Sequence, residues 1–92
     1  MRNDEVETYI KEVPGWSVTG DYKKIEREFA FSDFKKAMVF VNKVADIAER
    51  EGHHPDLRIF YNRVKIELWT HAVDGLSEND FIVAAKVGQL VL

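Results

Sequence analysis

Between Ser32 and Gly52 the apolar residues recur at helical spacing, whereas on both sides of that stretch they alternate with polar ones. A chain carrying both periodicities must bury a helix stripe against the apolar side of strands, because neither surface is stable alone in water. At about 100° per residue, Phe34, Ala37, Met38, Val41, Val44, Ala45 and Ala48 fall within an arc roughly 120° wide. Phe40 and Ile47 extend that stripe on one flank, and Glu49 lies just past the other, at its rim. Ser32 is the expected N-cap of a helix running from about Asp33 to Glu51; Gly52 is the expected residue after its end, and Pro55 prevents continuation.

The flanking segments read as strands. Trp16 to Val18 forms a short strand after the break at Pro14-Gly15, and Thr19-Gly20-Asp21 turns the chain. From Lys24 to Phe31, period two puts Ile25, Arg27, Phe29 and Phe31 on one face, with Arg27 a charged intruder. After Pro55, Leu57, Ile59 and Tyr61 alternate with Arg58 and Phe60, and Asn62-Arg63 is the expected turn. On the return, Val64, Ile66, Leu68 and Thr70 face one way, while Lys65, Glu67, Trp69 and His71 face the other. Residues 4–12 read as a short opening helix. Ser77-Glu78-Asn79-Asp80 opens a last helix as a capping box, with Phe81, Ala84, Ala85 and Gly88 as its packing face. The predicted class is α+β in the order α-β-β-α-β-β-α: a two-layer sandwich of one four-stranded antiparallel sheet with helices on one face.

Ninety-two residues read as one domain, 1–92, and a core this small leaves a modest stability surplus. The absence of Cys excludes disulfides, thiolate zinc sites and cysteine nucleophiles. Self-association then becomes the favoured supplement, the more so because the uncovered sheet face includes Phe60 and Trp69. The formal net charge is −3, and the Lys and Arg are scattered, with nothing nearer to a run than a pair such as Lys35-Lys36, so direct nucleic-acid binding is not expected. No apolar stretch approaches the roughly 18 residues of a membrane span, and no apolar signal segment opens the chain; a cytoplasmic location is the expectation.

The three histidines are the residues best suited to chemistry near neutral pH. His53 and His54 leave the long helix and His71 ends the last strand, places that can lie at one end of a shared sheet. On spacing alone, the adjacent pair is equally well explained as cationic caps on the helix C-terminus. Glu49, one helical turn before His53, is either an exposed helix charge or that imidazole's partner; an acid in a last turn opposes the helix dipole, which favours the site role. Asp80 reads first as the capping residue and second as a support for His71.

The full spaced set is more specific. Glu49, His53-His54-Pro55, Tyr61, His71 and Asp80 stand in order, with Trp16 after Pro14-Gly15, Phe34-Lys35-Lys36-Ala37 with Phe40, and Thr70-His71 before Gly75-Leu76-Ser77. In this the chain resembles the pterin-4a-carbinolamine dehydratase family from about residue 13 to 88. It departs from the best-known animal members at Gly52, where an acidic residue precedes the histidine pair, and at Leu57, where an aromatic follows the proline.

The resemblance implies a hydro-lyase that dehydrates 4a-hydroxytetrahydropterins to the quinonoid dihydropterin in tetrahydrobiopterin recycling, with no metal and no organic cofactor. It implies a homodimer or homotetramer and, in some animal members, a homeodomain transcription factor as partner. By resemblance His53, His54 and His71 are the catalytic set, His53 and His71 as the acid/base pair and His54 orienting the pterin. Pro55, Thr70, Ala72 and Val73 would join them in lining the substrate site, Glu49 and Asp80 would support it, and Tyr61 is architectural. Three other readings stay open: a non-catalytic, dimer-stabilising interaction protein, a role in molybdopterin metabolism, and a tris-histidine zinc site.

Overall fold

A computed structural model describes residues 1–91. Its elements are α1 (Asn3–Ile10), β1 (Ser17–Thr19), β2 (Lys24–Ala30), α2 (Phe34–Glu51), β3 (Asp56–Phe60), β4 (Arg63–Leu68) and α3 (Glu78–Gln89), with a 3-10 turn at His71–Val73. The expected order is the observed one. The four strands form one antiparallel sheet in the order β1-β2-β4-β3, so the second hairpin enters through its return strand, with Ile25 opposite Leu68 and Phe29 opposite Val64. Among the described residues no helix is long and apolar enough to cross a membrane.

Alternation along the two central strands separates the sheet's faces. Ile25 and Phe29 on β2 and Val64, Ile66 and Leu68 on β4 are buried under the helices. On the other face, Lys65 pairs with Glu26 at 3.1 Å and Arg58 with Glu67 at 3.5 Å. These cross-strand pairs keep most of the uncovered face polar; Phe60, at the edge, is 51% exposed. The core is completed by Phe40 against both Phe29 and Phe31, at 4.7 and 4.9 Å between ring centroids. At the other end Tyr9 of α1 packs on Phe81 of α3 at 5.2 Å and donates a hydrogen bond to Glu78.

Four expectations shift. The N-cap of α2 is Asp33, whose carboxylate accepts from the Lys36 amide, rather than Ser32. The buried stripe of α2 is Ala37, Phe40, Val44, Ile47 and Ala48, rotated from the expected arc, which leaves Phe34 48% exposed and Ala45 exposed. Phe34 occupies the first helical position, and Phe40 takes the aromatic cluster above β2. On α3 the rotation is similar: Val83 and Val87 are buried with Phe81 and Ala84, whereas Ala85 is exposed. The second hairpin turns at Tyr61-Asn62, with Tyr61 at φ 52°, one residue earlier than expected. Asn62 holds that turn by donating its side-chain amide to the Phe31 carbonyl, 2.9 Å away.

Gly52 ends α2 in the left-handed region, φ 62°, and donates its amide to the last turn of the helix. The next residue, His53, returns its amide to the Ala48 carbonyl at 3.1 Å. This closed turn sets the direction in which the following side chains leave.

Two substitutions test these assignments. Asp33→Ala should lower unfolding stability by about 1 kcal/mol while Ser32→Ala changes it by under about half that, both read from urea denaturation. Ile66→Ala, in the middle of the sheet, should cost about 2–5 kcal/mol by the same measurement.

Candidate active site

The organising group is Asp80. It is fully buried, and it sits in the first turn of α3, where the helix dipole favours negative charge. Its Oδ2 accepts the Ser77 amide at 2.9 Å and the Thr70 hydroxyl at 2.8 Å, and its Oδ1 lies 2.6 Å from His53 Nε2. The Ser77 hydroxyl meets Thr70 Oγ1 at 2.7 Å. Around Thr70 the chain closes on itself, its amide donating to the Gly75 carbonyl at 2.7 Å and the Gly75 amide returning to the Thr70 carbonyl at 3.3 Å. The segment after α2 and the segment after β4 are therefore joined through one carboxylate.

Asp80 thus partners His53 and Thr70, where His71 was expected. Glu49 pairs with His54 instead of His53. The one-turn spacing that suggested the latter contact holds only while the helix continues. Because Gly52 turns left-handed, His53 swings toward α3 and His54 back over the last turn of α2. The two adjacent imidazoles thereby acquire different carboxylates and different surroundings: the side chain of His53 is 13% exposed, that of His54 63%.

His71 does not continue β4, which ends at Leu68. It opens the 3-10 turn with Ala72 and Val73, all three exposed, and Asp74 closes it in the left-handed region. Its ring stacks on Trp69, with centroids 3.8 Å apart and planes inclined by 33°. Trp69 is fixed in turn, its indole N–H donating to Asp56 at 3.2 Å and Lys24 Nζ lying 5.0 Å from its ring. Sequence reasoning placed Trp69 and His71 on one face but gave the tryptophan no part near the histidine; their separation by two residues in an extended segment was the available signal. Ser77 was likewise seen only as a cap. Pro55 is half-buried beside the pair His53-His54, and Tyr61, 67% exposed, stands in the hairpin turn.

Chemically, the cluster offers one imidazole held by a buried carboxylate and a second, exposed imidazole on the segment that carboxylate also anchors. A carboxylate on Nε2 selects the tautomer with the proton there and leaves Nδ1 with a free lone pair. Among the described residues no group of three or more His, Cys, Asp or Glu is arranged to hold a metal ion.

Comparison with known proteins gives a consistent set of relatives. The Arabidopsis thaliana protein named pterin-4-alpha-carbinolamine dehydratase 2, mitochondrial, is 46% identical over 98% of this chain, which spans half of that longer protein. The chain is also 52% identical, over 88% of its length and 69% of the relative's, to a Xanthomonas campestris protein named for the same dehydratase. Among solved structures, a transcriptional coactivator/pterin dehydratase from Brucella melitensis superposes with a TM-score of 0.92 at 32% identity, covering 98% of this chain and 96% of that one. A pterin dehydratase-like protein identified as a RuBisCO assembly factor of the alpha-carboxysome gives a TM-score of 0.71 at 25% identity, over 83% and 88% of the two chains. Residues 1–90 match the family described as Pterin 4 alpha carbinolamine dehydratase, and this chain is a member of that family.

Proposed function

We propose that this chain dehydrates a 4a-hydroxytetrahydropterin to the quinonoid dihydropterin, with His53 and His71 exchanging the protons. The observation that carries this reading is the Asp80 carboxylate, which fixes His53 and anchors the segment bearing His71. In the reaction the C4a–O bond breaks, the hydroxyl leaves as water after receiving a proton, and loss of the N5 proton lets the C4a=N5 double bond form. One acid and one base meet the whole proton balance. His53, with Nδ1 available and a buried carboxylate to balance the charge its ring acquires, suits the base. His71, on the exposed turn, suits the acid that protonates the departing oxygen. His54, held by Glu49, orients the pterin, and Pro55, Thr70, Ala72 and Val73 line its approach. The role in cofactor recycling belongs to the same proposal, as does the single-domain organisation of residues 1–92.

A second reading, as an interaction protein, is favoured by one observation: α2 exposes Phe34 and Val39, and the edge strand β3 exposes Ile59 and Phe60. A second copy of this chain would cover such surfaces, in keeping with a homodimer or homotetramer. The coactivator and assembly-factor titles of the structural relatives also suit a partner-binding role.

Stopped-flow assay of a freshly generated 4a-hydroxytetrahydropterin tests the catalytic reading. His53→Ala and His71→Ala should each slow dehydration by about 10²–10⁴-fold with circular dichroism unchanged, and Asp80→Asn should lower kcat with them. Wild-type turnover in both histidine variants would overturn the mechanism. Light scattering after size exclusion should give a dimer or tetramer that Val39→Asp shifts toward monomer.

A further inference from the structure

The most enclosed cleft described in the molecule is lined by no histidine. It has a volume of about 290 Å³ and lies between the turn after α1, the middle of β2 and the second half of α3. Its apolar lining includes Val13, Pro14, Ala84 and Gly88. Two residues that carry hydrogen-bond donors also line it. One is Trp16, whose indole N–H is buried without a partner among the described residues and whose side chain packs edge-on against Phe29 at 6.2 Å. The other is Arg27, the charged intruder on the apolar face of β2, between the buried Ile25 and Phe29.

Arg27 is held in place without being neutralised. Its guanidinium lies 4.5 Å from the Phe29 ring, and among the described residues its one hydrogen bond is a long one, 3.4 Å to the Pro14 carbonyl. Among the described residues it forms no ion pair with a carboxylate. The turn is shaped around it: Gly15 takes φ +92°, and a Cβ there would come within 2.8 Å of the guanidinium carbon, so a side chain at position 15 would displace Arg27. A cation with no carboxylate beside it and the residue whose N–H has no acceptor thus line one largely apolar cleft.

We infer that this cleft binds a small organic monocarboxylate with a flat apolar body, the carboxylate accepting from Arg27 and the Trp16 indole and the body lying along Val13, Pro14 and Ala84. One guanidinium matches one negative charge, and its planar fork suits a carboxylate. Glu12, exposed on the lining of the same cleft, disfavours a dianion such as phosphate. The volume admits a molecule about the size of phenylacetate, and apolar clefts with a few placed polar groups are the usual form of small-ligand sites. The inference does not depend on the dehydratase reading.

Sodium phenylacetate is the probe, and the assigned Trp16 indole N–H signal in a ¹H–¹⁵N spectrum is the readout, with Trp69 as the internal reference. Phenylacetate should move the Trp16 signal saturably and leave Trp69 still, and Arg27→Gln should weaken binding about tenfold or more. The uncharged 2-phenylethanol and inorganic phosphate should move Trp16 little. An unresponsive Trp16, an equal response to 2-phenylethanol or phosphate, or undiminished binding in a folded Arg27→Gln would each overturn the inference. If Arg27→Gln fails to fold, the comparison of the three probes on the wild-type protein still decides.

Discussion

A carboxylate removed from water must find donors, and the three that Asp80 finds come from three different stretches of chain. The Ser77 amide caps α3, the Thr70 hydroxyl comes from the loop after β4, and the His53 imidazole from the joint after α2. A buried charge without such partners is strongly destabilising, so the carboxylate requires the loop and the joint to sit where they do. Capping and site-building are then one role: the group that starts the last helix also holds the candidate base. This is why the cap reading of Asp80 and the site reading do not compete.

The same economy shapes the sheet. The central pair, β2 and β4, is apolar on the helix side and ion-paired on the other. Phe34 and Val39 on α2 and Ile59 and Phe60 on β3 are exposed, and so are Val73 in the turn that bears His71 and Ile82 on α3. None of the four on α2 and β3 takes part in the Asp80 network, so one chain can carry both a catalytic site and a surface for a partner.

Element order and the faces of the central strands were legible because period-two and period-3.6 patterns report local geometry directly. The phase of the helices was less so: both α2 and α3 are rotated from the arcs that periodicity suggested, and on α2 the packing of Phe40 against Phe29 and Phe31, which the one-dimensional pattern does not contain, decides what faces the sheet. The three histidines and both carboxylates were identified, but their pairing was not. Helical spacing linked Glu49 to His53, and a single left-handed residue overturned it. Arg27 was visible as an anomaly on an apolar face, but only the fold brings Trp16 and α3 around it.

The tight joint at Gly52 restricts how a chain of this kind can vary in length. The imidazoles at 53 and 54 alternate because they follow one after the other from a fixed starting direction, and β3 continues from them in phase with β4. One inserted residue before Asp56 would hand each ring the other's environment, or else slip Leu57 and Ile59 to the opposite side of the sheet. Indels are thus barred from this short stretch, and a replacement of Gly52, at φ +62°, strains the joint as well.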